Sequence, residues 1–107
     1  MPSDLKKLSE AEIAQALKDA PEWGEASGAI QRTYQFADFV AAMKFVDDVA
    51  RLAEAQQHHP DILIRYNKVT LTVNTHDANG ITIKDFALAK SADAAFAGNP
   101  RPPRKGA

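Results

Sequence analysis

The sequence predicts an α+β domain: a four-stranded antiparallel sheet with three helices packed on one face, in the order α-β-β-α-β-β-α. Three observations carry this. Two segments alternate apolar and polar residues and are broken by short turns, as hairpins are. Three others repeat apolar residues at helical spacing. The links inside each strand pair are too short for a parallel crossover.

The first helix begins in "LSEAEIAQALKDAP". Ser9 is a good N-cap, and Glu12 three residues later completes a capping box. Leu8 and Ile13 are spaced for a hydrophobic staple. The apolar stripe continues through Leu17 to Ala20, and Pro21 stops it. "EWGEASGAIQRTYQF" then reads as two short strands around Ser27-Gly28, with Ile30, Tyr34 and Phe36 on one face.

"ADFVAAMKFVDDVARLAEAQQ" is the longest helix, with Asp38 as N-cap. Phe39, Met43, Val46, Ala50 and Ala53 recur at helical spacing, and Phe45, Val49 and Leu52 widen the stripe. So broad an apolar face suits contact with more than one surface. Pro60 disfavours helical geometry at His59, so the helix should end near His58. "DILIRYNKVTLTVNTH" follows as a hairpin with its turn expected at Asn67-Lys68. There Val69, Leu71 and Val73 alternate with Thr70, Thr72 and Asn74, and His76 shares the polar parity. The last helix opens at Thr82, with Asp85 at capping-box spacing. Phe86, Ala89 and Phe96 form its buried stripe, and Gly98 suits a C-cap. Residues 1–98 thus form one domain, and the basic, proline-rich stretch 99–107 reads as a flexible tail.

Composition narrows the function. The 107 residues hold 13 basic and 14 acidic side chains, a net charge of −1 that gives no electrostatic footprint for nucleic acid. There is no cysteine, which excludes thiol catalysis, disulfides and thiolate metal sites. No apolar run approaches the roughly 18 residues of a membrane helix. The start lacks the apolar core of a signal peptide, so a cytoplasmic protein is expected.

The chain has three histidines, two of them adjacent in "QQHHP". A zinc site is disfavoured, because neighbouring histidines at a helix end point apart and no HExxH spacing is present. A helix-capping role for a histidine in the last turn fits the residues. So does acid–base chemistry, since imidazole titrates near neutrality and can both give and take a proton. Glu54 lies one turn before His58 on the same helical face.

The spacing ties these residues together: Glu54, three residues, His58-His59-Pro60, five residues, Tyr66, nine residues, His76, eight residues, Asp85. This pattern, with "EW" at 22–23, "FADF" at 36–39 and "YNKV" at 66–69, resembles the pterin-4a-carbinolamine dehydratases over roughly Leu8 to Phe96.

The resemblance implies a four-stranded sheet backed by helices, with dimers formed by joining sheets and tetramers by helix packing. It implies dehydration of a 4a-hydroxytetrahydropterin to a quinonoid dihydropterin, without metal or organic cofactor. That reaction would serve cofactor recycling for an aromatic amino-acid hydroxylase. It implies a catalytic set of His58, His59 and His76, with His58 and His76 in acid–base work. His59, Glu54 and Trp23 would bind the pterin, and Asp85 would support the site by orienting His76. Two alternatives stay open. One is a non-catalytic interaction module, since some relatives are dimerisation cofactors of a homeodomain transcription factor. The other is the same chemistry on a molybdopterin-related pterin.

Overall fold

The computed structural model describes residues 6–98. The elements are α1 (Glu10–Leu17), β1 (Gly24–Ala26), β2 (Ala29–Gln35), α2 (Phe39–Gln56), β3 (Asp61–Arg65), β4 (Lys68–Val73), a single 3-10 turn (His76–Ala78) and α3 (Ile83–Gly98). The four strands form one antiparallel sheet in the order β1-β2-β4-β3. The expected α-β-β-α-β-β-α order and the antiparallel sheet are both present. The tail expected at 99–107 lies outside the described residues.

Strand alternation decides which face of the sheet is covered. Ile30 and Tyr34 of β2 and Val69, Leu71 and Val73 of β4 are buried, while Gln31, Thr33, Thr70 and Thr72 point to the other side. That open face has its own cross-strand bonds: the Thr33 and Thr70 hydroxyls lie 2.7 Å apart, and Gln31 Nε2 donates to Thr72 Oγ1 at 3.1 Å. The β1–β2 hairpin turns at Ser27-Gly28, where both residues have positive φ (55° and 80°). Two left-handed residues in a two-residue loop match the right-handed twist of the strands.

The second hairpin corrects one expectation. Arg65 pairs with Lys68, so its turn is Tyr66-Asn67, one residue earlier than expected. Tyr66 takes the left-handed conformation, φ 53°, and is exposed. Asn67 clamps the turn to the end of β2: its Nδ2 donates to the Phe36 carbonyl, and its own carbonyl accepts from Phe36 N–H. These tertiary bonds place the turn where dipeptide preference alone did not.

The helix caps follow the sequence. Ser9 and Glu12 form the reciprocal capping box, and Asp38 accepts from Ala41 N–H. α1 closes at Leu17, short of the expected Ala20, which packs in the core from the turn that follows. Gly98 is still helical rather than a cap. The buried stripe of α2 is Ala42, Phe45, Val49 and Ala53. Phe39 and Met43, expected inside, are exposed together with Val40. The stripe is rotated because α2 lies against both β4 and α3, leaving its first turn uncovered.

One polar cluster pins α3 to the sheet. Asp93 accepts from Trp23 Nε1 (3.1 Å), Arg32 Nη1 (2.7 Å) and Tyr34 Oη (2.5 Å). The Arg32 guanidinium also lies 4.2 Å from the centre of the Tyr34 ring. Burial, reinforced by the hydrogen bond to Asp93, raises the Tyr34 phenol well above the ordinary tyrosine range.

Candidate functional site

Three chain segments meet at one end of the molecule: the C-terminus of α2, the turn after β4, and the first turn of α3. Between them lies a pocket of about 410 Å³ whose walls include His58, His59 and His76, joined by Thr75, Asp77 and Lys84. All three histidines named from the sequence therefore face one cavity.

The end of α2 delivers the first two. Gln57 adopts the left-handed conformation, φ 52°; its N–H donates to Glu54 O at 3.2 Å, and His58 N–H donates to Ala53 O at 3.0 Å. This is the Schellman closure, which satisfies the last carbonyls and turns the chain sharply. A glycine would take that conformation without the Cβ penalty that glutamine carries. The turn sends His58 inward and His59 outward.

His58 is nearly buried, with only 9% exposed, and its Nε2 lies 2.5 Å from Asp85 Oδ1. Asp85 is wholly buried. Its other oxygen accepts from Thr82 N–H at 2.8 Å and from the Thr75 hydroxyl at 2.9 Å. Asp85 thus serves as the capping-box carboxylate and also as the partner of a histidine. That histidine is His58, not His76 as expected. The reason is positional: Asp85 points down from the first turn of α3 into the core, where His58 also points, whereas His76 stands on the rim.

His59 is exposed, and its Nε2 lies 2.7 Å from Glu54 Oε2. Both groups are mostly in solvent, so the bond orients the ring more than it stabilises the fold. His76 begins the 3-10 turn beyond β4, rather than continuing the polar face of the strand. Thr75 and Gly80 form a bridge across the base of this turn, which holds His76 outward. Its ring has no hydrogen-bond partner among the described residues. The site therefore contains one imidazole locked to a buried carboxylate, one held by a surface carboxylate, and one free.

Trp23 does not line this pocket. It is 4% exposed, its indole N–H is bonded to Asp93, and its ring packs edge-on against Tyr34. The pocket-wall residues missed from the sequence include Thr75, Asp77 and Lys84, together with the second role of Thr82. The capping spacing from Thr82 to Asp85 was the available clue, but it named a helix start rather than a site wall. Among the described residues, no group of three or more histidine, cysteine, aspartate or glutamate side chains could hold a metal ion. No described helix is long and apolar enough to cross a membrane.

A helix-backed antiparallel sheet with this set of imidazoles and carboxylates defines a class. The chain belongs to the pterin 4 alpha carbinolamine dehydratase family, whose model matches residues 6–95. A Chloroflexus aurantiacus protein named "Putative pterin-4-alpha-carbinolamine dehydratase" is 55% identical over 89 residues, covering 83% of this chain and 96% of its own. A Thermomicrobium roseum protein of the same name is 50% identical over 86 residues, covering 80% and 92%. Among solved structures, a transcriptional coactivator/pterin dehydratase from Brucella melitensis matches with TM-score 0.81 and 35% identity, covering 84% of this chain and 98% of its own. A pterin dehydratase-like RuBisCO assembly factor of the alpha-carboxysome shares the fold, with TM-score 0.59 and 22% identity.

Proposed function

We propose that this chain dehydrates a 4a-hydroxytetrahydropterin to the quinonoid dihydropterin by histidine acid–base catalysis. The observation that supports this best is the convergence of His58, His59 and His76 on one pocket, each in a different hydrogen-bonding state. The C4a–O bond breaks with the leaving hydroxyl taking a proton to become water. A ring nitrogen loses a proton as the new double bond forms. Hydroxide is a poor leaving group, so an acid and a base acting together lower the barrier, each typically by about 10²–10⁴-fold in rate. His58, fixed by Asp85, and the free His76 divide these two tasks. His59, steadied by Glu54, orients the pterin from the rim. Trp23 supports the scaffold instead of contacting substrate.

The same reading gives the molecule copies of itself as partners. The outer edge of β3 has no neighbouring strand among the described residues, and Ile62, Leu63 and Ile64 are exposed there. An apolar, unpaired edge is a template for strand pairing, which favours a dimer that continues the sheet. Phe39, Val40 and Met43 on α2 provide a second apolar face for helix packing between dimers.

The deciding experiment is stopped-flow dehydration of freshly generated 4a-hydroxytetrahydropterin by the wild type and by a His58→Ala/His76→Ala variant. Acceleration by the wild type that is lost in the folded variant supports the reading. No acceleration by folded wild type rejects it, and the same assay on a molybdopterin-related pterin then separates another substrate from a non-catalytic interaction module.

A further inference from the structure

The hydrogens around Asp85 can be assigned one by one. Thr75 Oγ1 donates to Asp85 Oδ2 at 2.9 Å. A hydroxyl has one proton, so Thr75 cannot also donate to Thr82 Oγ1, which lies 2.7 Å away. Thr82 must therefore donate to Thr75. The Thr82 hydroxyl in turn accepts from Lys84 N–H at 3.2 Å, and Thr82 N–H donates to Asp85 Oδ2 at 2.8 Å. Every bond in this chain, part-buried at Lys84 and buried from Thr82 onward, runs the same way: Lys84 N–H to Thr82, Thr82 to Thr75, Thr75 to Asp85. Aligned hydrogen bonds of this kind reinforce one another away from water. All of them make Asp85 an acceptor, and the one partner left on Oδ1 is His58 Nε2 at 2.5 Å.

We propose that Thr75 is a positioning residue: its hydroxyl, relayed from Thr82, holds Asp85 as a pure acceptor and so fixes His58 as the Nε2–H tautomer, leaving Nδ1 to work on the substrate. Thr75 is suited to this by its place in the chain. It immediately precedes His76 and stands at the N-cap position of the turn that carries it, its carbonyl accepting from Ala78 N–H while its hydroxyl is left for Asp85. One hydroxyl thus couples the α2 imidazole to the segment that bears the free one. The catalytic part of the inference rests on the reading that His58 transfers a proton; the tautomer does not.

The test is ring-nitrogen NMR on protein labelled at histidine, together with dehydration rates, for wild type, Thr75→Val and Thr75→Ser. Valine keeps the shape and removes the hydroxyl; serine keeps the hydroxyl. In the wild type, at a pH where the ring is neutral, His58 is expected to show a protonated Nε2 and an unprotonated Nδ1. Thr75→Val should lose that fixed tautomer and about ten-fold in kcat, with KM less affected. Thr75→Ser should restore both. A wild-type His58 protonated at Nδ1 overturns the assignment, even if the valine variant does not fold. A folded Thr75→Val protein with the wild-type tautomer and kcat also overturns it. A wild type with the expected tautomer but no pterin activity leaves the relay standing and rejects the dehydratase reading instead.

Discussion

His58 and Asp85 are 27 residues apart in sequence, and Nε2 of one lies 2.5 Å from Oδ1 of the other. The pair joins the segment just beyond α2 to the first turn of α3. It is shielded from solvent, whereas His76 stands in the open without a partner in the described protein. Removing the two imidazoles should therefore have different consequences. His58→Ala leaves a buried carboxylate without its partner and should cost about 3 kcal/mol or more of stability. His76→Ala should leave the melting temperature within a degree or two of wild type. Both should lose roughly 10²–10⁴-fold in dehydration rate. Thermal unfolding and stopped-flow rates on the same preparations check this. Equal destabilisation by the two variants would contradict the geometry.

Asp85→Asn keeps the size of the side chain but adds an amide donor where only an acceptor belongs. The ring of His58 should then lose its fixed orientation. The expected loss is about 10²-fold or more in kcat, because an imidazole held in the wrong tautomer cannot exchange the required proton. Single-turnover rates with a circular dichroism control measure it. A folded, fully active Asp85→Asn protein would remove the carboxylate from the mechanism.

The Tyr34 phenol makes stability fall at alkaline pH. Its folded pKa is raised, mainly by burial and then by the Asp93 bond, above the ordinary value of 10.0. The folded state thus keeps a proton that the unfolded state gives up. The contribution is fully present below pH 10 and declines as pH rises from there towards the folded value, by about 1.4 kcal/mol per pH unit. Urea unfolding of wild type and Tyr34→Phe between pH 8 and pH 11.5 isolates it, since only the wild type should show the extra slope.

Gln57 ends α2 in a backbone conformation that favours glycine. Gln57→Gly should stabilise the protein by about 1 kcal/mol through relief of the left-handed strain. The check is the urea midpoint at constant m-value. A drop in stability would mean that the glutamine side chain contributes more than its backbone costs.

The β3 edge provides the assembly test. A lysine at Ile64 places a charge where a second sheet would join, a common way for edge strands to discourage pairing. Sedimentation should find the wild type as a dimer or larger species and Ile64→Lys shifted to monomer. A wild type that is monomeric at high concentration would end the proposal.

Much of the fold is legible in the sequence itself. Ser9, Asp38 and the Thr82–Asp85 spacing marked helix starts because capping is local chemistry, read over three or four residues. Val69, Leu71 and Val73 announced a half-buried strand because alternation has only one reading. The spacing around His58, His59 and His76 pointed to a shared site. What was not legible depended on contacts distant in sequence. The tie between Asn67 and Phe36 moved the hairpin turn by one residue. The choice of His58 over His76 as the partner of Asp85 depends on which side chain the fold turns inward, and spacing does not encode that. The placement of Trp23 was decided by Asp93, 70 residues away, where nothing in the sequence marked a partner.

That placement gives the molecule an optical property. Its single indole sits in the core, hydrogen-bonded to a carboxylate about two helical turns beyond Asp85 on α3, roughly 12 Å along the helix axis. Its emission should be that of a shielded chromophore and should shift to the red only when α3 leaves the sheet. Filling the histidine pocket should hardly change its emission wavelength. Intrinsic fluorescence therefore reports whether this protein is folded, and a ligand that moves the emission maximum is acting on the docking of α3.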